Sequence, residues 1–138
     1  MREHELQELL VRWLDAALPL GSVLHHSPSE GKRHVSFSAR LKRMGLRAGW
    51  PDLEIFSPPL GFREGVTPAA IFLEVKPPKG RARPNQVATH AALRSCGCYV
   101  FTVTSVADAE ERLAPLLEMD VTGRASLLRQ LADAVNGT

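Results

Sequence analysis

Cysteine is nearly missing from this chain: two in 138 residues, Cys96 and Cys98, with one glycine between them. Thiols that close in sequence make neither a disulfide framework nor a zinc site, so they read as reduced packing residues. Aromatic residues are also scarce, at 6%, with a single tyrosine. Few of them interleave with basic residues, which argues against a platform that stacks single-stranded bases. No apolar run approaches the ~20 residues of a membrane-spanning helix. The chain opens on an acidic amphipathic stretch, without a basic-then-apolar leader, so a cytoplasmic protein with no membrane partner is expected.

What is present suits a folded domain. Hydrophobic residues make up 44% and charged residues 23%, and this length buries one core without staples. A single domain over residues 1–138 is expected. The net charge of +2 hides a pattern. From Lys32 to Arg94, 12 Lys and Arg stand against 4 Asp and Glu; the flanking segments are acidic, at 2 against 5 and 3 against 6. A basic middle suits a face that binds phosphates, because Lys and Arg release condensed counterions from nucleic acid. Lys32, Arg33, Arg40, Lys42, Arg43 and Arg47 form one basic run, and Lys79, Arg81 and Arg83 a second. These are the candidate DNA contacts, and duplex or branched DNA held by its phosphates fits them better than a single strand.

Periodicity predicts a helix over Glu3 to Leu18, with Leu6, Leu9, Leu10, Trp13, Leu14 and Ala17 on one face, ended by Pro19 and Gly21. A short strand over Ser22 to His26, the loop SPSEGKR and a basic helical stretch from Ser38 to Met44 follow. Strands are expected at Asp52–Phe56, Ala70–Lys76 and Cys98–Thr104, with helices at Pro84–Ser95, Val106–Glu118 (broken near Pro115) and Ser126–Val135. The loop PPKGRARP, with three prolines and a glycine, fits neither helix nor sheet interior. The fold class is therefore α/β: a small mixed β-sheet flanked by helices on both faces.

The chemistry centres on IFLEVK, Ile71 to Lys76. Alternation puts Glu74 and Lys76 on one face and the core residues Leu73 and Val75 on the other. Asp52 opens the preceding strand, after Pro51. If the two strands pair antiparallel, Asp52 comes beside Glu74. Two such carboxylates repel unless a cation separates them. Hard oxygen ligands with open positions suit Mg²⁺ or Mn²⁺, and a lysine beside the ion can hold an attacking water or steady charge on a phosphate. Glu-X-Lys by itself is a common surface pattern; Pro-Asp upstream makes it more specific.

The stretches LKRMGLRAGWPDLEIFSP, FLEVKPPKGRARPNQ and LRSCGCYVFTVTSVADAEERL resemble the virus-type replication-repair nuclease (VRR-NUC) domain of the PD-(D/E)XK superfamily. The likeness runs in order from about Glu3 to Leu113, with 114–138 as a helical extension. It implies a restriction-endonuclease-like core and a metal-dependent phosphodiesterase without organic cofactor. Asp52, Glu74 and the backbone carbonyl of Val75 would bind the metal, Lys76 would be the catalytic lysine, and Gln86 would line the site. Stand-alone relatives imply an endonuclease acting on branched DNA such as Holliday junctions or flaps, and a homodimer. The family also places an acid on the first helix. At 100° per residue, Glu3 lies about 50° from the centre of the apolar face, Glu5 about 110° and Glu8 nearly opposite. Glu3 is therefore the choice, for a second metal or a water, and Glu5 and Glu8 read as solvated.

The chain departs from that pattern in places. Arg83 stands where a preferred N-cap is common, with Asn85 a possible substitute, and Ser29 replaces a usual Asn. Glu54 adds an acid on the Asp52 face, either as a helper of the ligands or as a residue pointing past the strand edge. His25 and His26 point opposite ways, which reads as one packed and one exposed, although one could touch a phosphate. Gln86, His90 and Arg94 share a helix face that either tracks the scissile strand or is plain surface. Trp50 reads as a core anchor ahead of a substrate wedge. Against a nuclease stand a non-catalytic DNA-binding module on the same fold and a protein-interaction domain docking an acidic partner.

Overall fold

Leu6, Leu10, Trp13, Leu14 and Ala17 recur every three or four residues. In the computed structural model of the chain they form the buried face of helix α1 (Glu3–Ala17). The structure describes residues 1–27 and 35–135. After α1 come β1 (Val23–His26), α2 (Val35–Arg43), β2 (Leu53–Phe56), a 3₁₀ turn (Pro59–Gly61), β3 (Ile71–Val75), α3 (Pro84–Ser95), β4 (Tyr99–Val103), α4 (Val106–Leu113) and α5 (Gly123–Val135).

The four strands lie in chain order in one mixed sheet. β1 and β2 pair antiparallel, as do β2 and β3, whereas β3 and β4 run parallel with α3 as the crossover. The bulky residues of β3 are buried throughout the strand, as expected of a central strand covered on both faces. Leu53, Ile55, Ile71, Leu73 and Val75 join the residues of α1, α4 and α5 in one core. Glu74, on the opposite face, meets α3. Truncating Leu10 or Leu14, both fully buried, to alanine would cost about 2–5 kcal/mol.

Several boundaries differ from the sequence expectation for local reasons. α4 stops at Leu113, two residues before Pro115, because proline disfavours helix in the residue ahead of it. Its start is capped by Ser105, whose hydroxyl accepts from Asp108 N–H at 2.9 Å. α5 begins at Gly123, earlier than expected, and packs on α1 and α4 of its own fold. Arg129 Nε ties it to Glu110 at 3.2 Å. β1 is an edge strand and both of its histidines are exposed, which corrects the expectation that one would be packed. The SPSEGKR loop lies largely outside the described residues, as does Ser29 within it. Among the described residues no helix is long and apolar enough to cross a membrane.

One close approach positions the site. Gly49 has φ +77°, and a Cβ there would lie 2.3 Å from the Asn85 carbonyl oxygen. The loop entering β2 thus rests directly on the first turn of α3. Thr89 Oγ1 reinforces the contact by donating to Ala48 O at 2.7 Å.

Candidate metal centre

The register of β2 and β3 pairs Leu53 with Leu73. One residue further, it sets Asp52 opposite Glu74 on the face away from the core. Asp52 Oδ2 accepts from Val75 N–H at 2.7 Å, which fixes the carboxylate at the strand end. The Asp52 carbonyl accepts from Ser27 N–H at 3.1 Å. His26 Nδ1 lies 2.8 Å from that carbonyl and 3.0 Å from Gln7 Nε2 on α1, and the ring tautomer selects between them. The first turn of α1 hangs over the same point. Glu3, Asp52 and Glu74 each offer a carboxylate oxygen, all within 4.8 Å of one another. A cleft of about 770 Å³ opens beside them, lined by Glu3, Gln7, His26 and Asp52 among others.

The cluster is electrostatically costly as it stands. Asp52, Glu74 and Lys76 are 7%, 1% and 8% exposed. Burial, and then the neighbouring Glu74, push the Asp52 carboxyl up to about 7. Burial likewise raises Glu74, against the opposing pull of Asp52 and Lys76. Lys76 Nζ stands 4.0 Å from Glu74 Oε2. Three acids with one nearby ammonium leave negative charge uncompensated. Oxygen donors so grouped, two of them buried, fit a hard divalent cation that would neutralise them.

Glu5 is exposed and its Oε2 accepts from Arg2 N–H at 3.4 Å, closing the start of α1; Glu8 is exposed. Neither joins the carboxylate group. Gln86 Oε1 accepts from the N–H of Arg83, the N-cap residue, at 2.8 Å, which is the N3 half of a capping box at the start of α3. Arg40, Lys42, Arg43, Arg47, Lys79, Arg81 and Arg83 are exposed, and Lys32 and Arg33 lie outside the described residues. Trp50 is half-buried, its ring edge-on to Phe72 with centroids 5.5 Å apart, which makes it an anchor.

The row Gln86, His90, Arg94 does not form a surface track. Arg94 donates to Val100 O at 2.9 Å, and His90 is 3% exposed with Nε2 3.4 Å from Glu74 Oε1. Burial, then Arg94, hold the His90 imidazole below its ordinary value, so it is neutral near pH 7. Sequence reasoning missed this placement. α3 carries no sharp apolar stripe, and only the adjacent buried pair Thr89 and His90 marks its inner side.

Fold and cluster together define an α/β domain with a carboxylate–lysine site where antiparallel strands end. Two solved structures share this architecture. One, described as a "VRR_NUC domain protein", is 23% identical with a TM-score of 0.64, over 83% of this chain and 86% of the other. A second, described as a "VRR_NUC domain", is 25% identical with a TM-score of 0.53, over 81% of this chain and 94% of the other. The chain has the VRR-NUC fold. No family model and no curated protein matches the sequence.

Proposed function

We propose that this domain is a divalent-metal-dependent DNA endonuclease of the PD-(D/E)XK type. The observation that carries the reading is the convergence of Glu3, Asp52 and Glu74 within 4.8 Å, with Lys76 beside them. Asp52, Glu74 and the Val75 carbonyl would hold Mg²⁺ or Mn²⁺, with Glu3 at the edge or at a second ion, and the ion would supply Lewis-acid charge against the phosphate. Lys76 Nζ orients the attacking water or, in its uncharged amine form, accepts that water's proton. The water oxygen bonds to phosphorus as the bond to O3′ breaks in line, and the departing O3′ takes a proton from solvent, leaving a 5′-phosphate and a 3′-hydroxyl. Gln86 reaches the lysine or the ion's shell only by releasing Arg83 N–H. The exposed basic residues of α2 and of the loop before α3 grip the backbone on either side.

Selectivity for branched DNA such as Holliday junctions or flaps and assembly as a homodimer belong to the same reading and rest on the family resemblance. A cytoplasmic setting and one domain over 1–138 are proposed instead from the composition and length of the chain, and the packing of α5 on α1 and α4 supports the single domain. The test is a cleavage panel of branched, flapped, linear duplex and single-stranded DNA, each with Mg²⁺, Mn²⁺ or EDTA. Cutting is expected with metal and not with EDTA. Asp52→Ala and Lys76→Ala are expected to bind DNA without cutting it. A Lys76→Ala protein that cuts at the wild-type rate with Mg²⁺ defeats the assignment. Salt-sensitive binding with no cutting under any metal would favour a DNA-binding module.

A further inference from the structure

Among the described residues, two buried side-chain atoms lack a hydrogen-bond partner, Glu74 Oε1 and His90 Nε2. They face each other at 3.4 Å, on side chains 2% and 4% exposed. Leaving each unsatisfied costs about 1–3 kcal/mol, so a buried acceptor and a ring nitrogen that can donate do not stay apart without cause. Only the Nε2–H tautomer of a neutral imidazole satisfies the carboxylate. Neither group can turn elsewhere easily. α3 is locked to the loop before Asp52 at Gly49 and Thr89, and Glu74 lies in the middle of the sheet between β2 and β4.

We infer that His90 is a positioning residue for Glu74: its Nε2–H holds Oε1, so that Oε2 stays turned toward Lys76. A free carboxylate samples rotations about its last bond, and each rotation away from the neighbouring acids weakens a shared ion. Fixing one oxygen with a ring N–H removes that freedom. Partners that orient a ligand in this way are commonly worth ~10–100-fold in metal affinity. The gap of 3.4 Å closes to hydrogen-bond length with a small shift of the carboxylate. The inference rests on the metal-centre reading above, but it concerns the protein's own side chains and is readable without catalysis.

The experiment compares wild type with His90→Leu, which fills the space without donating, and His90→Gln, whose amide N–H reaches about as far as Nε2. Three readouts are taken: imidazole ¹⁵N shifts of the metal-free protein, Mn²⁺ affinity by calorimetry, and metal-free melting temperature. The expected result is an Nε2–H tautomer in wild type, Mn²⁺ affinity reduced ~10–100-fold in His90→Leu, and recovery of most of it in His90→Gln. A metal-free His90→Leu protein that melts no lower than wild type shows that the loss is not unfolding. An Nδ1–H tautomer overturns the inference, as does Mn²⁺ affinity in His90→Leu equal to wild type. Loss in His90→Leu that His90→Gln does not recover also overturns it, by reducing His90 to a packing residue. Failure of the wild-type protein itself to take up Mn²⁺ removes the metal centre and this inference with it, a result distinct from a defect confined to the variants.

Discussion

Asp52 and Glu54 lie two residues apart, on the same face of neighbouring backbone, and their surroundings push them in opposite directions. Glu54 is supplied with donors: His25 Nδ1 at 2.6 Å, Ser27 Oγ at 3.0 Å and Trp50 Nε1 at 3.1 Å. Partial burial alone would raise its carboxyl, but hydrogen bonds from His25, Trp50 and Ser27 outweigh it and hold it below the ordinary value. Asp52 receives Val75 N–H and otherwise faces burial and Glu74, and rises to about 7. One acid is completed by the protein and clamps β1, β2 and the Trp50 loop together. The other is left short of positive charge. A carboxylate's role here is set by who donates to it, and position along the strand decides little.

The sharpest break of this contrast is Asp52→Asn. It keeps an acceptor for Val75 N–H and removes the charge. Cleavage is expected to fall more than ~10³-fold, the scale on which charge-stabilising groups act at a reacting phosphate. Metal-free stability is expected to rise above about pH 7, because a deprotonated buried acid is gone. The matching change at the other acid, Glu54→Ala, is expected to lower stability by about 1–3 kcal/mol, since three donors lose their acceptor. Cleavage at saturating metal should survive it. Denaturant titration and a cleavage time course on both variants test the pair. If Glu54→Ala abolishes cutting in a folded protein, the division of labour is wrong.

Titration sharpens the contrast next. The Asp52 carboxyl sits at about 7 in the metal-free fold against an ordinary 3.8. The folded form therefore keeps a proton that the unfolded chain gives up. Stability from this group is fully present below about pH 4 and is lost as pH rises through about 7, by about 4 kcal/mol at most. Glu54 has the opposite sign: its smaller contribution is present at neutral pH and is lost on acidification. Mn²⁺ uptake must displace the Asp52 proton, so affinity is expected to fall up to ~10-fold per pH unit below about pH 7. Calorimetry in buffers of differing ionisation enthalpy would detect the released proton, and no release would contradict the raised value. The smallest effects belong to residues outside both clusters. Arg81→Ala and Arg83→Ala should each weaken DNA binding without sequence preference and reduce its salt slope by about 1, whereas neither acid variant should change that slope.

The parts of the site that alternation governs were legible early. Bulky residues at 71, 73 and 75 mark the core face of β3, which leaves Glu74 and Lys76 on the other, and antiparallel pairing then brings Asp52 across. Pro84 at the first turn of α3 gave its start, and the order of helical and strand segments along the chain gave the α/β class. What was not legible depends on contacts between distant segments. His90 is buried because α3, the crossover between parallel β3 and β4, covers the site face, where Gly49 lets the loop before β2 approach its first turn closely. The donors to Glu54 come from positions 25, 27 and 50. Both β1 histidines are exposed because that strand has a neighbour on one side only.

Gly49 has a consequence for how such a domain can diversify. Any side chain there must wedge the loop off α3, since 2.3 Å leaves no room for even a methyl group. Lifting that loop would pull Asp52 and His90 apart together, because one is carried by each side of the joint. New substrate preferences must therefore be written in the flanking segments, while this seam between loop and helix stays unaltered.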